Sequence, residues 1–215
     1  MFYSAVVNIG FFLLAVNTIL YLFYFRKGDA AWKIFAIYMV AMSIIQAVTS
    51  WMSSREMNNL FISHYYFILQ FLFLSFFYLK IIDQQRQKKI IHIGLVACPV
   101  ILGIHFASDP SLYFTFNLFE VFITSFLPIM YAMFHFYNIL SESKRYYYIN
   151  CGIFTYLFAS TVLFMFGNLI ITVDMEINNY TWALNAIVYI SYQIFIFIEW
   201  TKKYAEVNSD KNDDN

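Results

Sequence analysis

Seven apolar runs, each near the length of one bilayer crossing and separated by short polar stretches, decide what this chain can fold into. A helix needs about 20 consecutive apolar residues to cross the hydrocarbon core. Runs of that order lie at about 2–25, 32–53, 60–80, 90–107, 112–139, 146–172 and 180–200. Hydrocarbon offers no partner for backbone N–H and C=O groups, so a spanning segment must satisfy them internally, as a helix does. Of the 215 residues 61% are hydrophobic and 12% charged, about half the usual charged share. A soluble domain of this size cannot hide so much apolar surface in one core. The expected fold is all-α: a polytopic membrane protein with seven transmembrane helices over residues 1–203. The polar remainder, 204–215, has nothing to bury and is expected to be a disordered cytoplasmic tail. The first run lacks a basic leader and is too long for a signal-peptide core, so it reads as a retained helix. The fourth is the shortest and carries Pro99.

Charge orients the seven. Arg26, Lys27 and Lys33 lie between runs one and two; Lys80, Arg86, Lys88 and Lys89 lie between three and four. Lys144 and Arg145 follow the fifth, and Lys202, Lys203 and Lys211 follow the seventh. Arg55 is the one basic residue on the opposite side. Cytoplasmic loops carry the excess of Lys and Arg, so the N-terminus is expected outside and the C-terminus inside. Trp32, Trp51, Trp182 and Trp200 fall at the ends of runs, where amphipathic rings favour the membrane interface. Cys98 and Cys151 both fall inside helices and read as free apolar thiols.

Within this frame Glu120 stands out, a carboxylate in the oily stretch NLFEVFITSFLP at 117–128. A charge at the centre of a transmembrane helix costs roughly 2.5–3.5 kcal/mol even on the lenient scale, so a function or a partner is the default reading. Asn117, Glu120, Thr124, Pro128, Tyr131, His135 and Asn138 follow steps of three and four and share one helix face. Similar stripes are Ser43, Gln46, Ser50 and Ser53 on the second helix, and Ser63, Tyr66 and Gln70 on the third, with His64 beside them. Thr161, Asn168 and Thr172 mark the sixth; Thr181, Asn185, Tyr192 and Glu199 mark the seventh. By depth, Asn8, His64, His105, Asn117, Glu120, Asn168 and Asn185 fall in the outer half, with Gln46 and Gln70 nearer the middle. An outward pocket lined by five or six helices is the expectation. Its ligand-binding or proton-linked candidates are Glu120, Asn117, His64, Gln70, Asn168 and Asn185. Polar side chains between transmembrane helices also act as ties worth about 0.6 kcal/mol each, which covers the amides and hydroxyls singly. For Glu120 the structural alternative is a hydrogen bond to His64 or His105.

Several chemistries find no residues here. A retinal Schiff base needs a lysine in the last helix, and YTWALNAIVYISYQIFIFIEW has none. His92 and His105 are separated by a rotation of about 220° around a helix, which disfavours haem ligation. There is no HExxH, GxSxG or Gly-rich phosphate loop, and the absence of an intrahelical aspartate excludes a paired-aspartate protease. No enzyme activity and no cofactor are expected, and a net charge of +0 gives no sign of nucleic acid. Asn179-Tyr180-Thr181 matches a glycosylation sequon.

NNLFISHYYFILQFLFLSFFYLKI, KRYYYINCGIFTYLFASTVLFMFGNLI and WALNAIVYISYQIFIFIEW resemble small bacterial seven-helix membrane proteins and the membrane part of some sensor histidine kinases. The resemblance is one of aromatic pattern and isolated Asn residues. It implies a bacterial inner (cytoplasmic) membrane location and signalling, and it carries over no functional residue. The expected function is a sensor or signalling accessory subunit acting through a membrane or cytoplasmic protein partner, such as a histidine kinase. The alternative is a small-solute transporter of three-one-three plan, with the fourth helix linking two parallel triplets.

Overall fold

The computed structural model describes residues 2–140, 145–170 and 175–213, with side chains for 5–140, 145–166 and 180–205. Seven helices follow in order: α1 (Phe2–Phe23), α2 (Ala30–Ser54), α3 (Leu60–Ile81), α4 (Gln85–Ser108), α5 (Leu118–Ile139), α6 (Tyr147–Ile170) and α7 (Met175–Asp213). A short 3-10 helix, Pro110–Phe114, lies between α4 and α5. All seven helices contain a segment long and apolar enough to cross a membrane. The chain is an integral membrane protein.

Its outer surface agrees with that solvent. Ile93, Val96, Val100 and Ile104 form an exposed face on α4, and Phe119, Phe122, Phe126 and Met133 form another on α5. Apolar belts of this extent are stable only against lipid or a partner. The opposite face of α5 carries the expected stripe, and Glu120, Thr124, Pro128, Tyr131, His135 and Asn138 are all buried.

Six helices form a closed ring, α1–α2–α3–α5–α6–α7 and back to α1, in which each touches the next. The fourth stands outside against α3 and α5. Aromatic rings fill the interior: Tyr21 stacks on Trp32 with centroids 4.2 Å apart and planes 6° off parallel, and Phe35, Tyr38, Phe77 and Tyr78 continue the packing. Small residues let the helices close. A methyl group on Gly152 of α6 would lie 2.8 Å from the Tyr192 ring of α7, the close approach that glycine permits between membrane helices.

Three boundaries differ from the sequence reading, each for a local reason. The fourth helix starts at Gln85 rather than 90, which places Arg86, Lys88 and Lys89 on its first two turns. The fifth starts at Leu118 rather than 112, because Asn117 ends the preceding loop and takes the N–H groups of Phe119 and Glu120 on its side chain. The backbone of α7 continues as helix to Asp213, past residue 204 where the polar tail begins. Trp32 also departs from expectation: it is buried, and its indole N–H donates to the Tyr21 carbonyl at 3.2 Å. It is a core ring, not an interfacial anchor, because Asp29 caps α2 and turns the first helical turn inward.

The α1–α2 and α5–α6 loops are locked together. Asp29 accepts from the Arg145 guanidinium and, at 2.7 Å, from the Tyr146 hydroxyl. Tyr146 holds a left-handed backbone (φ 57°) that costs a non-glycine residue energy, and its buried side chain supplies the compensation. Burial pushes the Asp29 carboxyl up, but the Trp32 N–H, the Tyr146 hydroxyl and the Arg145 guanidinium outweigh it and hold the group below its usual range. Nearby, Glu199 accepts from the Tyr148 and Ile149 N–H groups at 2.9 and 3.4 Å, which caps α6. Gln87 and Asn138 exchange two amide bonds at 3.1 and 2.8 Å between α4 and α5. These bonds tie the helix ends together in this half of the bundle.

Candidate functional site

At the other end of the bundle lie two separate assemblies, one on each side of α3. The expected single pocket is divided because His64 sits one position from Ser63, about 100° away around the helix. His64 faces α5, while Ser63 and Tyr66 face the ring interior.

On the α5 side, Glu120 is fully buried and bonded through Oε2 to His64 Nδ1. The other imidazole nitrogen, Nε2, lies 3.0 Å from the Tyr113 carbonyl oxygen. A carbonyl can only accept, so Nε2 carries a hydrogen and donates. One proton then remains for the Nδ1–Oε2 contact. Whether it rests on nitrogen or oxygen, the pair has no net charge, which is how a membrane interior tolerates a carboxyl group here. The second oxygen, Oε1, has no hydrogen-bond partner among the described residues. His105, the alternative partner, packs its ring on Phe119 instead, at 4.9 Å between centroids.

Glu120 therefore does not line the cavity, contrary to the expectation. The pair instead anchors the segment that leads into α5. His64 stacks on Tyr113 as well as donating to its carbonyl oxygen, and the Tyr65 and Tyr113 hydroxyls are 2.8 Å apart. Asn117 caps α5 at the end of that segment. Between them stands Phe116, whose ring packs on Phe164 at 5.6 Å and Phe67 at 6.2 Å. These three rings form one wall of the cavity.

The cavity itself measures about 560 Å³ and is bounded by α1, α2, α3, α6 and α7. Gln46, Asn59, Tyr66, Tyr156 and Asn185, with the hydroxyls of Thr49, Ser63 and Tyr189, bring polar groups to a largely apolar lining. Asn185 lines the cavity, and its buried Oδ1 has no partner among the described residues. Gly10 lets the Tyr189 ring approach to 3.0 Å of the place where a methyl group would stand. The Asn168 side chain lies outside the described residues. Of the α2 stripe, Ser50 and Ser53 are exposed, so the stripe turns away from the bundle at its end.

No protein-family model, curated protein or solved structure matches the chain.

Beneath the cavity the polar groups join into a floor. The Tyr66 and Tyr156 hydroxyls share a bond at 2.9 Å. Gln70 donates to the Tyr66 and Tyr38 hydroxyls, both at 3.3 Å, and Tyr192 donates to Tyr38 at 3.4 Å. Gln70 is thus a floor residue, one layer behind the cavity, that ties α2, α3, α6 and α7 together. The Tyr156 and Tyr192 rings stack at 5.2 Å with planes 3° apart. Sequence reasoning placed Tyr66 and Tyr192 on polar faces but missed Tyr156 and Tyr189. With 18 Tyr in the chain, no spacing signal separates those that meet from those that face lipid. The Asn117 cap did carry a signal: Asn followed three residues later by Glu is the pattern of a helix start.

Proposed function

We propose that this protein is an integral membrane sensor or signalling accessory subunit that takes a small uncharged ligand from the outer face and acts through a protein partner. The observation that carries this reading is a cavity at one end of the bundle, opposite the end where Asp29, Arg145 and Glu199 tie the loops together. In the orientation proposed from charge, N-terminus outside and C-terminus cytoplasmic, the cavity faces outward. A bacterial cytoplasmic membrane is the proposed location, consistent with the resemblance to bacterial seven-helix proteins and sensor-kinase membrane parts.

The lining supports a class of ligand. Its volume falls within the range of small-molecule sites. Among the described residues that line it none is charged, so an ionic ligand would lose its hydration without a counter-charge. An aromatic or apolar body with one or two amide-like or hydroxyl groups fits the unpartnered Asn185 Oδ1 and the Tyr66 and Tyr156 hydroxyls. A ligand that displaces Tyr66 disturbs bonds reaching α2, α6 and α7 at once, and a packed interior passes such a shift as movement of whole helices. A partner would supply the output.

The test is extraction of the tagged protein in mild detergent, followed by identification of what accompanies it. The expected result is a stoichiometric protein partner and a small neutral molecule whose retention falls in Asn185→Leu. A solitary protein that catalyses solute counterflow in proteoliposomes would replace this reading with the transporter one. One observation favours that second reading: α4 stands outside a ring of two helix triplets, as a linker between parallel repeats would.

A further inference from the structure

On the outside of the ring a second cavity, about 400 Å³, opens along α3. It exists because α2 and α4 each pack on α3 but do not touch one another. Ile34 and Ile37 of α2 form one side; Phe73, Phe76 and Leu79 of α3 form the base. Ile37 and Phe76 are each 45% exposed, so the groove is open to the bilayer. At one end it meets Lys80, in the last turn of α3, and Lys88 and His92 on the first two turns of α4. His92 Nδ1 donates to the Lys88 carbonyl at 2.8 Å, which pins the ring at the groove mouth.

We propose that this groove is a binding site for one anionic phospholipid, with its phosphate between Lys80 and Lys88 and an acyl chain along Ile37, Phe73 and Phe76. Two features select that occupant. Bilayer fills an apolar groove facing hydrocarbon with an acyl chain, since no other component of that solvent fits. The charge at its end then selects the headgroup. Among the described residues Lys88 pairs with Asp83 alone, 4.0 Å away and itself largely exposed, so the groove end keeps a positive excess. Arg86 and Lys89 stand on the same turns but are not among the residues that line the groove. The first turn of α4 has no side-chain cap, and its free N–H groups favour an anion at that level. Basic pockets between helices on the cytoplasmic side are suited to anionic headgroups, and these residues occupy the side assigned as cytoplasmic. The lipid would act as a wedge that holds α4 against the ring. The site stands independently of the ligand cavity and of the sensor reading.

Native mass spectrometry of the full chain tests it, with phosphatidylglycerol and phosphatidylcholine offered at equal concentration. The expected result is one retained phosphatidylglycerol, weakened roughly thirtyfold in the Lys80→Gln/Lys88→Gln double variant. Arg86→Gln/Lys89→Gln serves as the control, and it should change retention severalfold less. An equal loss in both double variants would reduce the effect to general surface charge and overturn the site. Equal retention of the two lipids by the wild type would overturn it as well. Displacement by glycerol phosphate at the same concentration would show a headgroup contact without a chain site, which also contradicts the proposal. A melting curve of each variant in phosphatidylcholine distinguishes loss of binding from loss of folding.

Discussion

His64 and Glu120 meet across the α3–α5 contact with a single proton between Nδ1 and Oε2, because the Tyr113 carbonyl obliges Nε2 to carry its own hydrogen. The pair is neutral in either form. The contact ties the loop bearing Tyr113 and the cavity wall at Phe116 to the packing of α3 on α5.

Glu120→Gln keeps the arrangement, since the amide N–H can donate to Nδ1 and the neutral imidazole can accept. The expected loss of stability is below about 1 kcal/mol. Glu120→Ala leaves Nδ1 buried and unpaired and should cost about 1–3 kcal/mol. Thermal unfolding in detergent compares them. Equal losses would mean that the native pair depends on an ionised carboxylate.

The cavity floor is a network, so its members should not act independently. Tyr66→Phe and Tyr156→Phe each remove the shared 2.9 Å bond, and a double-mutant cycle should show coupling of about 1 kcal/mol. Additive losses would dissolve the floor into separate contacts.

Acid should loosen the contact between the α1–α2 and α5–α6 loops. Asp29 has a folded-state pKa lowered from its ordinary 3.8. Its contribution is therefore complete above that value and is lost as the pH falls below it, through the folded pKa. Wild type should lose stability more steeply below about pH 4 than Asp29→Asn, which gives up the contribution at every pH. Parallel pH profiles of the two proteins would remove Asp29 from the account.

Gly28 precedes Asp29, and a methyl group there would collide with the Trp32 ring. That ring is buried and stacked on Tyr21, so it cannot yield. Gly28→Ala is expected to cost about 1–3 kcal/mol of stability. An unchanged melting temperature would show that the loop, not the ring, gives way.

Topology is open to a chemical test. Ser54 ends α2 on the cavity side and Lys27 lies in the opposite loop; both are exposed. A membrane-impermeant maleimide applied to intact cells should label Ser54→Cys and leave Lys27→Cys unlabelled. The reverse pattern would invert the orientation and place the cavity in the cytoplasm.

What was legible along the chain followed from local periodicity. The α5 stripe could be read because a helix repeats every 3.6 residues, and every member from Glu120 to Asn138 is buried as that repeat requires. Depth alone narrowed the partner of Glu120 to two histidines. Choosing between them needed the packing of α3 on α5, since His105 lies on α4, outside the ring. Trp32 was misplaced for a related reason: a tryptophan at a helix end satisfies the interfacial rule whether it faces headgroups or the core. Tyr156 and Tyr189 escaped notice because tyrosine is too common in this chain for its position to signal anything.

The sequence by itself determined seven spans, the sorting of basic residues to one set of loops and the buried face of α5. These depend on transfer between water and hydrocarbon and on helical repeat, both local properties. Tertiary structure alone decided that α4 stands outside the ring, that α3 separates the His64–Glu120 pair from the cavity, and that Gln70 lies beneath it. Once helices are in lipid, apolar transfer no longer draws one toward another. Their neighbours are chosen by close fit and by hydrogen bonds between distant residues, and neither is written in the spacing along a single helix.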